Sequence, residues 1–313
     1  MASAPLLYVL LPSLIIILIG KLVSLRWLRD PKIWNSIDQL NFRLLIPCLI
    51  VSILAKSNLD SYEVDQIAAV ILLTLGLIAI GLFALYRLNL IKDLSAASFS
   101  SVFQTSTRWN TTIAIVLISQ LFGDSYLAII AVIMVMFMPL ANVLNITMLI
   151  YLLNNDQNSL VSYISKILKN PIIVSCLVGI ALSYSPIQLS NALLTGLNRL
   201  GQASVATALL SLGAGISFNM SRTGLMAITT SCIFKLVVMP VLVMILALLI
   251  GIEHKLACVM ALSLAAPTAM NGYVVAKEMG GDAPLYANIS SIQTLFSFIT
   301  LPAWVASMKY WVT

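Results

Sequence analysis

One stretch of the chain restricts it more than any other: ASFSSVFQTSTRWNTTIAIVLISQL, from Ala97 to Leu121. It is long enough to cross a bilayer, and its two ends are apolar enough to lie in one. Its middle is not, because Gln104, Thr105, Ser106, Thr107, Arg108, Asn110, Thr111 and Thr112 fall almost together. Counted as helix from Ala97, Arg108 sits about 16 Å along the axis, halfway through a hydrocarbon core ~30 Å thick. A guanidinium at that depth costs at least ~2.5–3.5 kcal/mol on insertion scales. It must therefore face protein, water or an anionic ligand, and the stretch is expected to form half of a binding site in the membrane.

The rest of the chain supports a membrane setting. Of its 313 residues 60% are hydrophobic and 9% charged, against about 25% charged in soluble domains. The net charge of +6 does not point to nucleic acid, since the basic residues flank apolar spans and no basic–aromatic interleaving suggests base stacking. Cys48, Cys176, Cys232 and Cys258 each lie in an apolar run without metal-ligand spacing, and read as small buried hydrophobes. No metal and no cofactor is expected.

Hydropathy predicts an all-α membrane protein of ten spans, near 5–25, 36–55, 66–87, 97–121, 125–153, 171–188, 202–219, 225–250, 256–277 and 283–306. The first begins apolar and reads as a spanning helix rather than a cleavable leader. The longest polar break, 154–170, separates residues 1–153 from 171–313, five spans each. An odd number of spans per half makes any repeat inverted, a plan common in secondary transporters. Eleven basic residues, among them Lys21, Arg43, Arg87, Lys169 and Lys277, collect on one side. Lys56, Arg199, Lys255 and Lys309 collect on the other. The positive-inside rule puts the larger set and the 154–170 loop in the cytoplasm and both termini outside the cell membrane, the inner membrane if the source is bacterial.

Within the spans, Pro47 should kink span 2 and free carbonyls near Arg43 and Leu44. Span 5 carries Asn142 and Asn145 three residues apart on one face, which should point into the bundle. Span 7 is rich in small residues, including Gly201, Ser204, Ser211 and Gly213, suited to close helix packing or a subunit contact. Lys235 in span 8 is expected to snorkel to the interface; the alternative is a fixed positive charge opposite the site. Span 9 is the counterpart of span 4. Pro267 interrupts it near its centre, and Thr268, Asn271 and Gly272 follow. Paired interrupted spans are the best sequence pointer to a transporter site. Span 10 opens with a polar face that includes Tyr286, Gln293 and Thr294.

Several of these segments resemble the auxin efflux carrier family of the bile-acid/arsenite-type transporter superfamily. They are Asn41-Phe42-Arg43-Leu44-Leu45-Ile46-Pro47, Arg108-Trp109-Asn110-Thr111, Lys169-Asn170-Pro171 with Gly179, Leu212-Gly213-Ala214, Lys235 through Pro240, and Ala265-Ala266-Pro267-Thr268 through Ala276-Lys277-Glu278. The resemblance implies ten helices in two inverted five-helix repeats, with helices 4 and 9 broken and crossing at mid-membrane. It also implies a scaffold of helices 1, 2, 6 and 7, able to form a homodimer, and a moving transport part of helices 3–5 and 8–10. Substrates of the family are small organic anions such as auxin or dicarboxylates, and Asn110 matches an asparagine that contacts the carboxylate. The proline and glycine common beside that asparagine are absent here, where the sequence runs Asn110-Thr111-Thr112-Ile113.

The expected site is therefore Arg108, Asn110, Thr111, Asn142, Pro267, Thr268 and Asn271, with alternating access as the mechanism. The competing readings are a sodium- or proton-coupled symporter of the same fold and an anion channel. A membrane enzyme is expected least. The single histidine, His254, lies in a loop, and no nucleophile–base pair or carboxylate pair falls within a span.

Overall fold

Wherever the apolar runs are long, the chain is helical, since a backbone in lipid must satisfy its own N–H and C=O groups. The computed structural model describes residues 6–56, 64–91, 94–153, 171–186, 189–215, 224–269 and 272–308. Twelve main helices occupy them: α1 Leu6–Arg26, α2 Pro31–Leu54, α3 Val64–Arg87, α4 Ala96–Thr107, α5 Thr111–Phe122, α6 Leu127–Leu153, α7 Pro171–Tyr184, α8 Asn191–Gly215, α9 Leu225–Ile250, α10 His254–Leu264, α11 Gly272–Glu278 and α12 Ala283–Ser307. No strand occurs among the described residues. Five of the helices, α2, α3, α6, α9 and α12, are long and apolar enough to cross a membrane. Large apolar side chains face outward on several helices, with Ile80 68%, Leu249 77% and Ile299 68% exposed. On a soluble protein such surfaces would aggregate; in a bilayer they face acyl chains. Of the sequence features above, the 154–170 loop, Lys169-Asn170 and Asn271 lie outside the described residues.

The chain divides into two compact units. The first takes Met1–Val64, Ile115–Val135 and Val161–Ile216, and so contains α1, α2, α7 and α8. The second takes Asp65–Ala114, Met136–Leu160 and Ser217–Thr313, and contains α3, α4 and α9 to α12.

Glycine sets the packing of the first unit. A Cβ on Gly20 of α1 would strike the Leu210 carbonyl of α8, and one on Gly213 of α8 would strike the Ile17 carbonyl of α1. The two backbones therefore touch, as small residues permit in lipid. Gly179 of α7 and Gly201 of α8 likewise seat Leu54 and Leu49 of α2. Thr207 Oγ1 donates to Asn41 Oδ1 at 2.8 Å, tying α8 to α2. A cleft of about 240 Å³ in this unit is lined by Ser52, Lys56, Ser125, Asn198 and Gln202 among others, and none of the expected site residues borders it.

Prolines set the shape of the long helices. In α2 the turn Asn41–Leu45 widens to a π-turn, closed by Ile46 N–H donating to Asn41 O, just before Pro47. In α9 the turn Phe234–Val238 does the same just before Pro240, with Met239 N–H donating to Phe234 O. The wider turn absorbs the ring that would otherwise clash with the preceding carbonyls. In both helices the proline stands at the same offset from the π-turn.

Candidate functional site

α4 and α10 are the two most enclosed helices of the second unit. Every residue from Phe99 to Thr107 is buried, as is every residue from Ala257 to Leu264. For α10 this follows from apolar composition. For α4 it does not, because Ser100, Ser101, Gln104, Thr105, Ser106 and Thr107 are all buried there. A polar helix buried all round is stable only if its side chains find partners.

Several of those partners lie within the helix. Thr105 Oγ1 donates to Ser101 O, Ser106 Oγ to Val102 O and Thr107 Oγ1 to Phe103 O, each within 2.7–2.8 Å. Such back-bonding weakens the helix that carries it. α4 ends here: Arg108 turns to extended geometry at φ −84° and ψ 161°, and helix resumes at Thr111. Asn110 caps the new helix, its Oδ1 accepting from Ile113 N at 3.3 Å. The break thus forms without the proline and glycine absent from this position.

The second interruption begins at Ala265, after the last residue of α10, and α11 starts at Gly272. Pro267 has no N–H to give, and its ring excludes the carbonyl four residues earlier, that of Ser263. Trp109 Nε1 takes that carbonyl at 2.8 Å. The same solution recurs in α9, where Pro240 frees the Leu236 carbonyl and Trp304 Nε1 takes it at 2.8 Å. The two breaks also meet directly, Asn110 N–H donating to Pro267 O at 2.9 Å.

Arg108 lies between them, 8% exposed. Its Nε and Nη2 donate to Gln104 Oε1 at 3.4 and 3.3 Å, and its Nη1 donates to Asn142 Oδ1 at 3.1 Å. Its partners are thus neutral amide oxygens. Gln104 Nε2 is buried with no hydrogen-bond partner among the described residues. The first turn of α5 also presents the N–H groups of Thr111 and Thr112, which helix geometry leaves without intrahelical acceptors. A Cβ on Gly272 would meet Tyr286 Oη and Arg108 Cδ, so only glycine lets α11 start against them.

Of the expected site residues, Arg108, Asn110, Asn142 and Pro267 are joined by these bonds, and Thr111 is buried at the first turn of α5. Thr268 joins through its neighbours: its N–H donates to Gln293 Oε1 at 3.0 Å, and its hydroxyl lies 3.3 Å from Tyr286 Oη. Asn145 points inward as its spacing implied, accepting from Thr107 Oγ1 at 2.8 Å.

Residues left out of the expected set complete the enclosure. Tyr286 Oη donates to Ala269 O at 2.6 Å. Gln293 Nε2 reaches Thr105 O, Ser231 O and Ser231 Oγ at 3.2, 3.2 and 2.9 Å. The signal for both was the polar face of span 10, where Tyr286, Ser290, Gln293, Thr294 and Ser297 recur at helical spacing and are all buried. Lys235 departs from expectation. It does not snorkel; it is 0% exposed, and its Nζ donates to Leu264 O at 3.2 Å and contacts Met239 Sδ at 3.0 Å. The C-terminal carbonyl of α10 offers it a partner inside the unit. Among the described residues no group of three His, Cys, Asp or Glu is placed to hold a metal ion.

The family model described as membrane transport protein, the auxin efflux carrier family, aligns with residues 5–305. No curated protein matches the sequence.

Proposed function

This chain belongs to the auxin efflux carrier family of membrane transport proteins, and from that premise we propose that it carries a small organic anion across the membrane by alternating access, holding a carboxylate at Arg108 between the two helix breaks. The observation that carries the reading is a buried guanidinium whose partners are amide oxygens rather than a carboxylate. Among the described residues no carboxylate pairs with this charge, and an arriving carboxylate supplies the counter-charge. At 4 Å and an effective dielectric near 20 the attraction is about 4 kcal/mol. The guanidinium fork suits a bidentate carboxylate. The N-terminal end of α5 adds a positive dipole end and free N–H groups. The unpaired Gln104 Nε2 is a further donor suited to an acceptor atom.

The moving part is helices 3–5 and 8–10 and the scaffold is helices 1, 2, 6 and 7, with ten spans in two inverted repeats. Support comes from the division of the chain, which groups spans 1, 2, 6 and 7 apart from spans 3, 8, 9 and 10 and the first part of span 4; Ile115–Val135, the end of span 4 and the start of span 5, falls with the scaffold spans. The close glycine-mediated contact of α1 with α8 suits a rigid frame.

The test is a thermal-shift screen of mono- and dicarboxylates on the purified protein, followed by flux of the stabilising compound in proteoliposomes. Arg108→Ala is expected to abolish both binding and flux with the fold intact. Arg108→Lys is expected to keep part of the affinity, since a point charge replaces the electrostatics but not the fork. Unchanged affinity in Arg108→Ala would remove this residue from the site. Single-channel currents would replace the carrier cycle with a pore.

A further inference from the structure

In transporters built on broken helices, the C-terminal ends of the half-helices are where coupling cations bind, because several carbonyls point there without partners. In this protein several of those carbonyls are already occupied. At the end of α4, Gln104 O takes Arg108 N at 2.9 Å and Thr105 O takes Gln293 Nε2 at 3.2 Å. At the end of α10, Ala261 O takes Ala265 N at 2.9 Å, and Ser263 O takes both Ala266 N at 3.2 Å and Trp109 Nε1 at 2.8 Å. Leu264 O, the last of them, takes Lys235 Nζ at 3.2 Å.

Lys235 differs from the other donors because its group is an amine at the end of a flexible stem, buried, and paired with no carboxylate among the described residues. Its head lies against Met239 Sδ and the Leu264 carbonyl, with the Phe137 ring centroid at 5.8 Å. Trp109, which holds the neighbouring carbonyl, packs edge-on to the same ring at 5.6 Å. Lys235 belongs to the π-turn of α9, which is closed by Met239 N–H and continues into Pro240. Helix geometry, an aromatic face and a half-helix end therefore converge on one ammonium position.

We propose that the Lys235 ammonium is a tethered counter-ion at the negative end of α10, standing where a free monovalent cation would otherwise be needed to hold the break. The carrier then moves its anion without a sodium ion bound at that end. This deepens the transport reading given above and rests on it for the flux arm of the test; the stability arm does not depend on any substrate.

The experiment compares the wild type, Lys235→Ala and Lys235→Met in choline, sodium and n-propylammonium chloride at equal ionic strength. n-Propylammonium has the atoms that the alanine substitution removes, whereas methionine fills the space without a charge. The melting temperature of Lys235→Ala is expected to fall in choline and to recover in n-propylammonium, with wild type and Lys235→Met indifferent to the cation. In proteoliposomes, wild-type flux of the carboxylate found in the screen is expected to be equal in sodium and choline. Flux through Lys235→Ala is expected to drop roughly tenfold to a hundredfold, as for the loss of a hydrogen bond to a charged group, and to be restored by n-propylammonium. If Lys235→Ala does not fold, Lys235→Met and the sodium independence of the wild type carry the test. Wild-type flux that requires sodium, full stability and flux in Lys235→Met, or a Lys235→Ala protein that no cation stabilises would each overturn the assignment. A wild type that moves no carboxylate while n-propylammonium still stabilises Lys235→Ala would instead overturn the transport reading and leave the tethered cation standing.

Discussion

Replacing Gln293 by leucine tests whether the two helix breaks are held by one side chain. Leucine has nearly the volume of glutamine, so packing changes little, but both amide functions vanish. Gln293 Oε1 is the acceptor for Thr268 N–H, and Gln293 Nε2 is the donor to Thr105 O in the last turn of α4. Ser231 O keeps a second donor in Phe234 N–H, so its loss is partial. Two buried backbone groups are thus orphaned, each at about 1–3 kcal/mol, or about 2–6 kcal/mol together. For a domain of 150–250 residues, 1 kcal/mol moves the melting temperature by about 2–4 °C. The expected fall is therefore about 4 °C at the least. Cys258, 0% exposed in α10, gives the assay a local reporter, because a thiol-reactive dye reaches it only when the second unit opens. The same variant should lose carboxylate binding, since Thr268 and the end of α4 flank Arg108. A Gln293→Leu protein that melts within 1 °C of wild type and binds carboxylate normally would refute the claim that this residue ties the breaks together.

Gly272→Ala is expected to lose most carboxylate affinity while still folding, because the added methyl meets Tyr286 Oη and Arg108 Cδ. Tyr286→Phe in the same protein should recover part of it, as titration of the double variant by isothermal calorimetry would reveal. Gly213→Ala should drive apart α1 and α8 at the Ile17 carbonyl and cost about 1–3 kcal/mol. Its signature is early labelling of buried Cys48 on heating, with affinity for the anion unchanged because Arg108 belongs to the other unit.

The polar patch from Gln104 to Thr112 and the proline at 267 announced both breaks, because each acts through its own neighbours. Threonine and serine hydroxyls compete for carbonyls one turn back, and proline cannot donate. Asn142 and Asn145 were legible for a similar reason: three-residue spacing puts both on one face, and an amide in lipid must turn inward. Lys235 was not legible. Distance from the helix end suggested a side chain long enough to snorkel, and nothing local signals that a half-helix terminus waits 29 residues further along the chain. The tryptophans at 109 and 304 were equally silent. Each serves a carbonyl that a proline elsewhere in the chain has freed, 154 and 68 residues away from the indole that binds it.

Transfer free energy and backbone sterics act over a few residues, so the order of amino acids was enough to show a helical membrane protein interrupted twice and bearing a cation at one interruption. Which donor meets which orphaned carbonyl depends on helices brought together from across the chain, as Gln293 meets Thr105 over 188 positions. Hydrogen bonds are short and directional, so those pairings, and with them the inward lysine and the arginine held by amide oxygens, exist only once the helices have packed.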